Sequence, residues 1–271
     1  MKYISYLIVI VLLFSACENT RKSERFLIET KYGNIKLKLY ENTPKHKSNF
    51  MVLVNKGFYE GLLFHRVIEN FMIQGGDPLS KDAGSDERLG SGGPDYTVKA
   101  EIRPENIHKR GALAAARKPN SLNPEQRSSG SQFYIVTGKV YTDNELDALE
   151  KRINSDRRSQ IINMYIDERS GLREKLNEYQ ENQNFSAMDS VLRAISNEIK
   201  NDSIGLKEFK ISPERRKIYT SIGGAPTLDD KYTVFGEVTE GMDVVEKISK
   251  LPTDENDRPL YDVKMKITQI R

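Results

Sequence analysis

One stretch of the chain, residues 64–78, brings together side chains that could act on a peptide. It reads Phe-His-Arg-Val-Ile-Glu-Asn-Phe-Met-Ile-Gln-Gly-Gly-Asp-Pro, with one fixed cation (Arg66), one amide (Gln74) and two large apolar side chains, Phe71 and Met72. Arginine stays protonated at any physiological pH and presents a planar fork of donors. The mixture suits recognition of a proline ring and its backbone, and it does not suit a metal or a phosphate.

Two further motifs follow in the chain. Residues 130–137 read Gly-Ser-Gln-Phe-Tyr-Ile-Val-Thr, and residues 232–238 read Tyr-Thr-Val-Phe-Gly-Glu-Val, followed by Gly-Met-Asp-Val-Val at 241–245. Together the three motifs resemble the cyclophilins, a family of peptidyl-prolyl cis/trans isomerases. The resemblance covers about residues 26–140 and 220–271, and it rests on separated motifs in the family's order rather than on one short match.

The resemblance implies a role for each matching residue. The catalytic positions are Arg66, Phe71 and Gln74; the substrate-binding positions are Met72, Ala116, Gln132, Phe133, Tyr134, Leu228 and Tyr232. Within this set, the proline pocket is matched by Phe71, Met72, Tyr134 and Leu228, and its polar rim by Gln74 and Gln132. Each residue also has a structural alternative: Phe71, Ile73 and Phe133 at strand spacing would be core residues in any barrel, and a lone arginine is most often a surface charge.

The chemistry that the resemblance implies needs no bond to a side chain. Rotation about a peptide bond before proline meets a barrier of about 18–20 kcal/mol because it breaks the amide resonance. A donor aimed at the prolyl nitrogen stabilises the twisted state selectively, and Arg66 is the candidate donor. One charge-assisted hydrogen bond contributes roughly 1.5–3 kcal/mol, so an apolar, water-poor pocket must supply the rest.

Four positions depart from the family pattern. Thr227 stands where many cyclophilins carry tryptophan, which argues against tight binding of cyclosporin-class inhibitors. Tyr232 replaces a frequent histidine, Arg117 a frequent asparagine, and Tyr134 a frequent phenylalanine. These changes alter the rim more than the Arg66 centre, so we expect activity with a shifted preference for the residue before proline.

Other kinds of chemistry find little support in the sequence. The chain has three histidines, His46, His65 and His108, and none has a second at metal-ligand spacing, so we expect no metal and no cofactor and interpret His65 as structural. No arrangement of nucleophile and base is evident. The formal net charge is only +3, with basic and acidic residues interleaved, which argues against a nucleic-acid partner.

The N-terminus predicts export and lipidation. Residues 1–17 place a lysine before an apolar run, Leu7 to Phe14, that is followed by Ser-Ala-Cys, a pattern typical of a signal peptide. Cys17, the only cysteine, resembles the modified residue of a bacterial lipobox, with Phe14 in place of the usual leucine. The alternative is an uncleaved anchor. Both interpretations place the protein in the cell envelope, facing the periplasm or otherwise outside the cytoplasm, behind a tether at residues 18–25.

The barrel part of the chain predicts short strands and two helices. Alternation around residues 31–34 predicts a hairpin, and Thr43-Pro44 predicts the start of a helix with Thr43 as N-cap. Residues 80–95 predict an exposed loop, residues 241–248 a second helix and residues 263–267 a closing strand. The family resemblance implies a mainly β fold: a closed eight-stranded antiparallel barrel with two capping helices, in two parts at 26–140 and 220–271.

Residues 141–219 form an insertion that the family pattern lacks. Apolar residues at helical spacing predict a helical hairpin with a short further helix at 212–222. Its first arm, if continuous over about 35 residues, would extend roughly 50 Å, and Ser186 with Asp189 resembles a capping box for the second arm. The apolar stripes are expected to pack on each other, with docking of an envelope protein partner as the alternative.

Two functions therefore remain open. The first is an isomerase acting on proline-containing polypeptide clients that fold outside the cytoplasm. The second is a non-catalytic module that binds proline segments and uses the insertion for envelope assembly, because the insertion is far larger than a loop requires. A spacer that sets the distance from the membrane is a weaker third option.

Overall fold

The computed structural model describes residues 24–201 and 208–270. The predicted signal peptide and lipobox, including Cys17, and most of the tether lie outside the described residues; the first strand already begins at Arg25. The strands are β1 Arg25–Thr30, β2 Gly33–Leu39, β3 Phe64–Ile68, β4 Met72–Gly75, β5 Thr97–Val98, β6 Ala112–Ala115, β7 Ser128–Ser129, β8 Phe133–Val136, β9 Val234–Glu240 and β10 Lys266–Ile270. The helices are α1 Pro44–Asn55, α2 Asp143–Asp167, α3 Leu172–Glu181, α4 Phe185–Asn201, α5 Pro213–Ser221 and α6 Met242–Ser249.

Eight strands form one antiparallel sheet, and β5 pairs with β7 separately. The order across the large sheet is β10-β1-β2-β9-β6-β8-β4-β3, so β3 and β10 stand at its edges. The sheet is curled but open, and the expectation of a closed barrel is corrected. The edges meet only before β10 begins, where the Phe64 amide donates to the Val263 carbonyl at 2.9 Å. Further along β3 the Val67 amide donates to the Asp257 carbonyl instead, because the loop before β10 occupies that edge.

The main core lies on one face of the sheet. Alternate residues of the predicted hairpin, such as Ile28 and Leu37, are fully buried there, as are Ile73 and Ile135. The two helices predicted for this part of the chain, α1 and α6, pack into the same core. Burial of one face and not the other is what the two-residue strand period demands, and it confirms the hairpin prediction.

The start of α1 differs from its prediction. Pro44 occupies the first helical position, but the Thr43 side chain makes no capping hydrogen bond. The Glu101 carboxylate, distant in sequence, accepts from the backbone amides of Lys45 and His46 at 3.1 and 3.0 Å. A carboxylate satisfies these free amides and also complements the positive end of the helix.

The insertion is not a simple hairpin. Its first arm breaks after Asp167, and Gly171, with φ +76°, precedes α3, so a continuous arm of 35 residues is wrong. The apolar stripes of α2, α3 and α4 pack on one another around Ile166, Ile195 and Ile199, which confirms the packing prediction. The capping box at Ser186 is also wrong, because α4 begins at Phe185 and Asn184 Oδ1 accepts from the Ala187 amide at 3.2 Å.

The insertion has two parts. The root, residues 141–155 and 208–221, packs against Ile107 of the sheet-bearing part through Leu146, Ile211 and Tyr219. The tip, residues 156–201, has the separate cluster around Ile166. The root is closed by Asn154, whose side chain donates to the Phe209 carbonyl and accepts from its amide at 3.0 and 2.7 Å. Across the described ranges, no helix combines the length and apolar character needed to cross a membrane.

Candidate active site

A second apolar cluster covers the opposite face of the sheet. Strand alternation turns Met72 and Tyr134 to this face while their neighbours Ile73 and Ile135 enter the main core. Strand pairing sets Arg66 opposite Gln74, Gln74 opposite Tyr134, and Tyr134 opposite Ala114, so that these side chains form a row across β3, β4, β8 and β6. The register thus brings residues from distant motifs to one surface.

This surface forms the wall of a cavity of about 1120 Å³. Eight of the ten residues predicted from the sequence line it: Arg66, Phe71, Met72, Gln74, Ala116, Tyr134, Leu228 and Tyr232. The first four come from β3, β4 and their hairpin turn; of the others, Tyr134 comes from β8, Ala116 directly follows β6, and Leu228 and Tyr232 precede β9. Asn70, with φ 58°, makes the turn between β3 and β4, a left-handed conformation that asparagine tolerates well.

Arg66 is oriented by an acidic side chain that the sequence did not indicate. Its Nε lies 3.1 Å from Asp257 Oδ2, and both side chains are 41% exposed. Within residues 24–201 and 208–270, the two terminal guanidinium nitrogens of Arg66 form no hydrogen bond; only Nε does. The pairing therefore fixes one edge of the planar group and leaves the other donors for a ligand. Asp257 is 191 residues away in sequence, and no local motif marks it.

Gln132 has a different position from the one predicted. It is 6% exposed and does not line the cavity. Its Oε1 accepts from Gln74 Nε2 at 3.0 Å, and its Nε2 donates to the Gly90 and Gly92 carbonyls at 2.9 and 2.7 Å. Gln132 thus holds the Gln74 amide and the adjacent loop in place, and its assignment as a direct substrate contact stays a prediction.

Phe133 also lies away from the cavity. Its ring is 1% exposed and packs edge-on against Phe50, Tyr59 and Phe64 in the main core. The substrate-binding assignment of Phe133 is corrected for the same reason that places Tyr134 in the site: adjacent residues of a strand face opposite sides. Of the alternatives left open by the sequence, the core interpretation holds for Phe133 and Ile73.

The loop over the cavity, residues 81–96, is mostly exposed, as predicted, but it is anchored at its base. Asp77, fully buried, accepts from the Gly90 amide at 2.6 Å and from the Gly92 amide at 3.2 Å. Gly75 and Gly76 allow close packing beneath: a Cβ on either would lie within 3.0 Å of neighbouring atoms. This confirms that the two glycines serve backbone geometry.

The departures from the family pattern interact with one another. The Arg117 guanidinium lies 4.6 Å from the centre of the Tyr232 ring, and that ring meets Tyr134 edge-on with centroids 5.9 Å apart. Burial raises the pKa of the Tyr134 phenol well above its usual value, so its hydroxyl stays protonated. Three of the four substituted positions, Arg117, Tyr134 and Tyr232, therefore form one contiguous wall.

His65 lines the cavity beside Arg66 and is buried. Burial lowers its pKa to about 4, since the charged imidazolium would lose its hydration there. The ring is therefore neutral at physiological pH, and Arg66 is the permanent cation of this pair.

The structure does contain one hydrogen-bonded series of a carboxylate, a histidine and a serine, although no pattern in the sequence indicated it. Glu101 Oε2 lies 2.7 Å from His46 Nδ1, and His46 Nε2 lies 2.9 Å from Ser128 Oγ. All three side chains are buried, and the space beside His46 amounts to about 10 Å³. A void of this size holds at most about one water molecule. This hydrogen-bonded series links α1 to β7, and the space beside it is too small for a substrate.

The fold and the site agree with comparisons to known proteins. The model of the family described as "Cyclophilin type peptidyl-prolyl cis-trans isomerase/CLD" matches residues 25–154 and 171–270. The chain belongs to this family and is a peptidyl-prolyl cis-trans isomerase. The match covers the sheet, nearly all of the insertion's root, and α3 and α4 of its tip; residues 155–170 are the internal part of the chain left unmatched.

Relatives of similar length occur in staphylococci. Proteins named "Putative peptidyl-prolyl cis-trans isomerase" from Staphylococcus saprophyticus and Staphylococcus epidermidis are 27% and 28% identical over 240 residues, or 88% of this chain and 87% of theirs. A crystal structure of a Cryptosporidium parvum cyclophilin type isomerase matches with a TM-score of 0.53 at 20% identity, covering 92% of this chain and 98% of that one. A second structure of that protein, in the presence of the dipeptide Ala-Pro, gives a TM-score of 0.51.

Proposed function

We propose that the chain accelerates rotation about Xaa-Pro bonds by means of Arg66, acting from the edge of the apolar cavity. The observation that carries the proposal is the position of this guanidinium: it lines the same cavity as Phe71 and Met72, and Asp257 holds only its Nε. A relative of the same fold was crystallised in the presence of Ala-Pro, which supports a proline-containing ligand.

The physical account assigns separate tasks to the cation and to the wall. At the top of the barrier the prolyl nitrogen becomes pyramidal and regains a localised lone pair, which accepts a hydrogen bond that the planar amide accepts poorly. Arg66 supplies that donor. Rotation also reduces the charge separation of the amide, so the apolar wall formed by Phe71 and Met72 favours the twisted state over the planar one.

The amides at the cavity supply orientation. Gln74 lines the cavity and is held by Gln132, so its side chain is set before substrate arrives. An amide side chain offers both a donor and an acceptor, and an extended peptide backbone presents both partners. Holding the substrate backbone while the proline ring is fixed confines rotation to the single bond between them.

A protease-coupled isomerisation assay tests the proposal, using the chain from Asn19 onward. Arg66→Ala should lower kcat/KM by about 10- to 100-fold, the factor that corresponds to one charge-assisted hydrogen bond. Arg88→Ala is the matched control, because Arg88 is an exposed arginine lining the same cavity, and it should keep wild-type turnover. Equal rates for wild type and Arg66→Ala would reject the role of Arg66.

We also propose that the protein is a lipoprotein that acts on clients folding outside the cytoplasm. The support is the sequence of residues 1–17, with Cys17 directly after a small-residue pair. Replacing Cys17 by serine should remove the acyl chain detected by mass spectrometry and move the protein from the membrane fraction to the soluble fraction. Unchanged fractionation of Cys17→Ser would contradict the lipid anchor.

A second role as an assembly module is favoured by one observation on the tip. Met164 and Phe185 keep 60% and 56% of their surface exposed, and neither belongs to the packed apolar cluster of the tip. An envelope protein or a client could contact this surface. If the tip serves such a role, its removal will lower the refolding rate of a proline-limited protein client while turnover of a tetrapeptide is unchanged.

A further inference from the structure

A chain of buried hydrogen bonds runs from the root of the insertion to the wall of the cavity. The Tyr219 hydroxyl, on α5, donates to Asp229 Oδ2 at 2.6 Å. Asp229 Oδ1 lies 2.8 Å from the backbone nitrogen of His108 and 3.0 Å from its Nδ1. His108 Nε2 lies 3.0 Å from the Tyr134 hydroxyl. Four side chains thus connect an inserted helix with a residue that lines the cavity.

The direction of each bond follows from the chemistry of the groups. A carboxylate accepts only, so both Tyr219 and His108 Nδ1 donate to Asp229. In the neutral tautomer with the proton on Nδ1, His108 Nε2 accepts from the Tyr134 hydroxyl; the Tyr134 ring itself meets the Tyr232 ring edge-on. Every polar atom in the series has a partner, and such satisfied networks fix one arrangement of their side chains.

Burial makes this chain costly to disturb. Tyr219 and His108 are fully buried, Tyr134 is 4% exposed and Asp229 8%. Loss of the Tyr219 hydroxyl would leave Asp229 with one fewer donor in a site with little access to water. The carboxylate and the imidazole that depends on it would then be free to reorient, and the Tyr134 ring would lose its fixed position.

Asp229 also acts on the cavity through its own backbone. It directly follows Leu228, which lines the cavity, and ends the 3₁₀ turn Pro226–Leu228. Arg215, from α5, pairs with the adjacent Asp230 at 3.0 Å and approaches Asp229 at 3.6 Å. The inserted helix therefore holds two separate parts of the cavity wall, the Leu228 segment and the Tyr134 ring.

We propose that Tyr219 is a positioning residue for substrate binding, which acts through Asp229 and His108 to fix the Tyr134 ring in the proline-binding wall. This inference rests on the proposed function of the cavity. Tyr219 touches no substrate. Its helix belongs to the insertion, so the insertion contributes to the active site as well as to the outer surface.

A double-mutant cycle on the full chain in detergent solution tests the proposal. Tyr219→Phe and Tyr134→Phe each delete one hydroxyl at opposite ends of the series and keep the ring. Each should lower kcat/KM about three- to tenfold, mainly through KM because Arg66 is untouched. The double variant should fall no further than the worse single variant, since either change breaks the same series.

Tyr141→Phe is the matched control. Tyr141 packs edge-on against Tyr219 in the same cluster but lies outside the hydrogen-bonded series. Loss of the Tyr141 hydroxyl should therefore leave kcat/KM at the wild-type value. Melting temperatures are recorded for every variant, and turnover is compared where all are folded. If Tyr219→Phe fails to fold, Tyr134→Phe still tests the series from its other end.

The outcomes separate this inference from the proposed function. A wild-type kcat/KM in Tyr219→Phe would overturn the positioning role while leaving turnover by Arg66 intact. So would a double variant whose fold loss in kcat/KM equals the product of the two single losses. If the wild type binds a prolyl tetrapeptide without turning it over, the proposed mechanism fails, and the peptide's Kd in each variant then decides the positioning role. If the wild type neither binds nor turns over the peptide, both proposals are overturned.

Discussion

Arg66 and Asp257 form a partly exposed pair whose value lies in orientation. An exposed ion pair contributes at most about 1 kcal/mol to stability, and both members here are 41% exposed. The pair does, however, fix the plane of the guanidinium, and a planar donor is useful in catalysis only when it is aimed. The cation at the centre of the proposed mechanism thus depends on a loop residue from the other end of the chain.

His65 makes stability depend on pH. Its pKa falls from an ordinary 6.5 to about 4 on folding, so the unfolded chain takes up a proton over this range while the folded chain does not. The stability that His65 confers is therefore complete above about pH 6.5 and is lost as pH falls toward 4. By the usual conversion of pKa into free energy, the loss reaches about 3 kcal/mol.

Urea denaturation of wild type and His65→Gln checks this prediction. The difference between their free energies of unfolding should shift by about 2–3 kcal/mol between pH 7.5 and pH 4, with the wild type losing more. His46 and the acidic groups titrate in both proteins, and their contributions cancel in the difference. Parallel pH profiles for the two proteins would show that His65 is accessible to protons in the folded state.

The residues at the site were largely predictable because their motifs are local. Arg66, Phe71, Met72 and Gln74 lie within nine positions on one hairpin, and the strand period alone assigns Met72 to one face and Ile73 to the other. Phe133 was misassigned because its motif does not show which face of β8 the ring occupies. Family motifs mark a neighbourhood, whereas the side on which each residue falls depends on its neighbours in space.

At the scale of elements, the loop of residues 81–96 depends on two buried polar residues. Asp77 accepts from its amides and Gln132 donates to its carbonyls. Both contacts need a backbone that comes very close, and Gly92 permits it: a Cβ there would lie 2.1 Å from Asp77 Oδ1. The glycine-rich composition of the loop thus has a steric reason at this position.

Gly92→Ala should therefore displace the loop. We expect a loss of about 1–3 kcal/mol in the free energy of unfolding, typical of overpacking, together with a several-fold fall in kcat/KM, because Gln132 also holds Gln74. Gly93→Ala is the control, since a Cβ there would meet only Ser129 Oγ at an ordinary 3.7 Å. Equal stability and turnover of the two variants would mean that the loop adapts freely.

Some elements were out of reach of sequence patterns. The open edge at β3 reflects competition by the loop before β10, whose Asp257 carbonyl accepts from the Val67 amide across 190 residues of sequence. Likewise, the N-terminus of α1 is satisfied by Glu101 rather than by the adjacent Thr43. The break after Asp167 had a local signal in Gly171, which the continuous apolar stripe outweighed.

At the scale of the whole molecule, the insertion divides into a root that packs against the sheet-bearing part and a tip with an apolar cluster of its own. Arg216 on α5 pairs with Asp143, Asp147 and Glu150 on α2, which binds the two helices of the root together. The tip has a separate apolar cluster. Removal of the entire insertion would take Tyr219 with it and would confuse the two contributions.

Deleting the tip alone separates the contribution of the root from that of the tip. Residues 156–207 can be replaced by a short Gly-Ser linker, because Asn154 and Phe209 are already hydrogen-bonded to each other. Tetrapeptide turnover and the melting temperature of the remainder should match those of the full chain, whereas deletion of residues 143–219 should lower both. Loss of tetrapeptide turnover on removing the tip alone would show that the tip, too, supports the cavity.

The most direct test of the account separates binding from rotation. Exchange NMR on a prolyl tetrapeptide measures its Kd and its rate of cis/trans exchange on the enzyme in one experiment, for wild type and Arg66→Ala. A donor that acts only in the twisted state should leave Kd within about twofold while the exchange rate falls about 10- to 100-fold. If Arg66→Ala instead weakens Kd by that factor while the exchange rate of the bound peptide is unchanged, the proposed mechanism is contradicted and Arg66 is a simple binding residue.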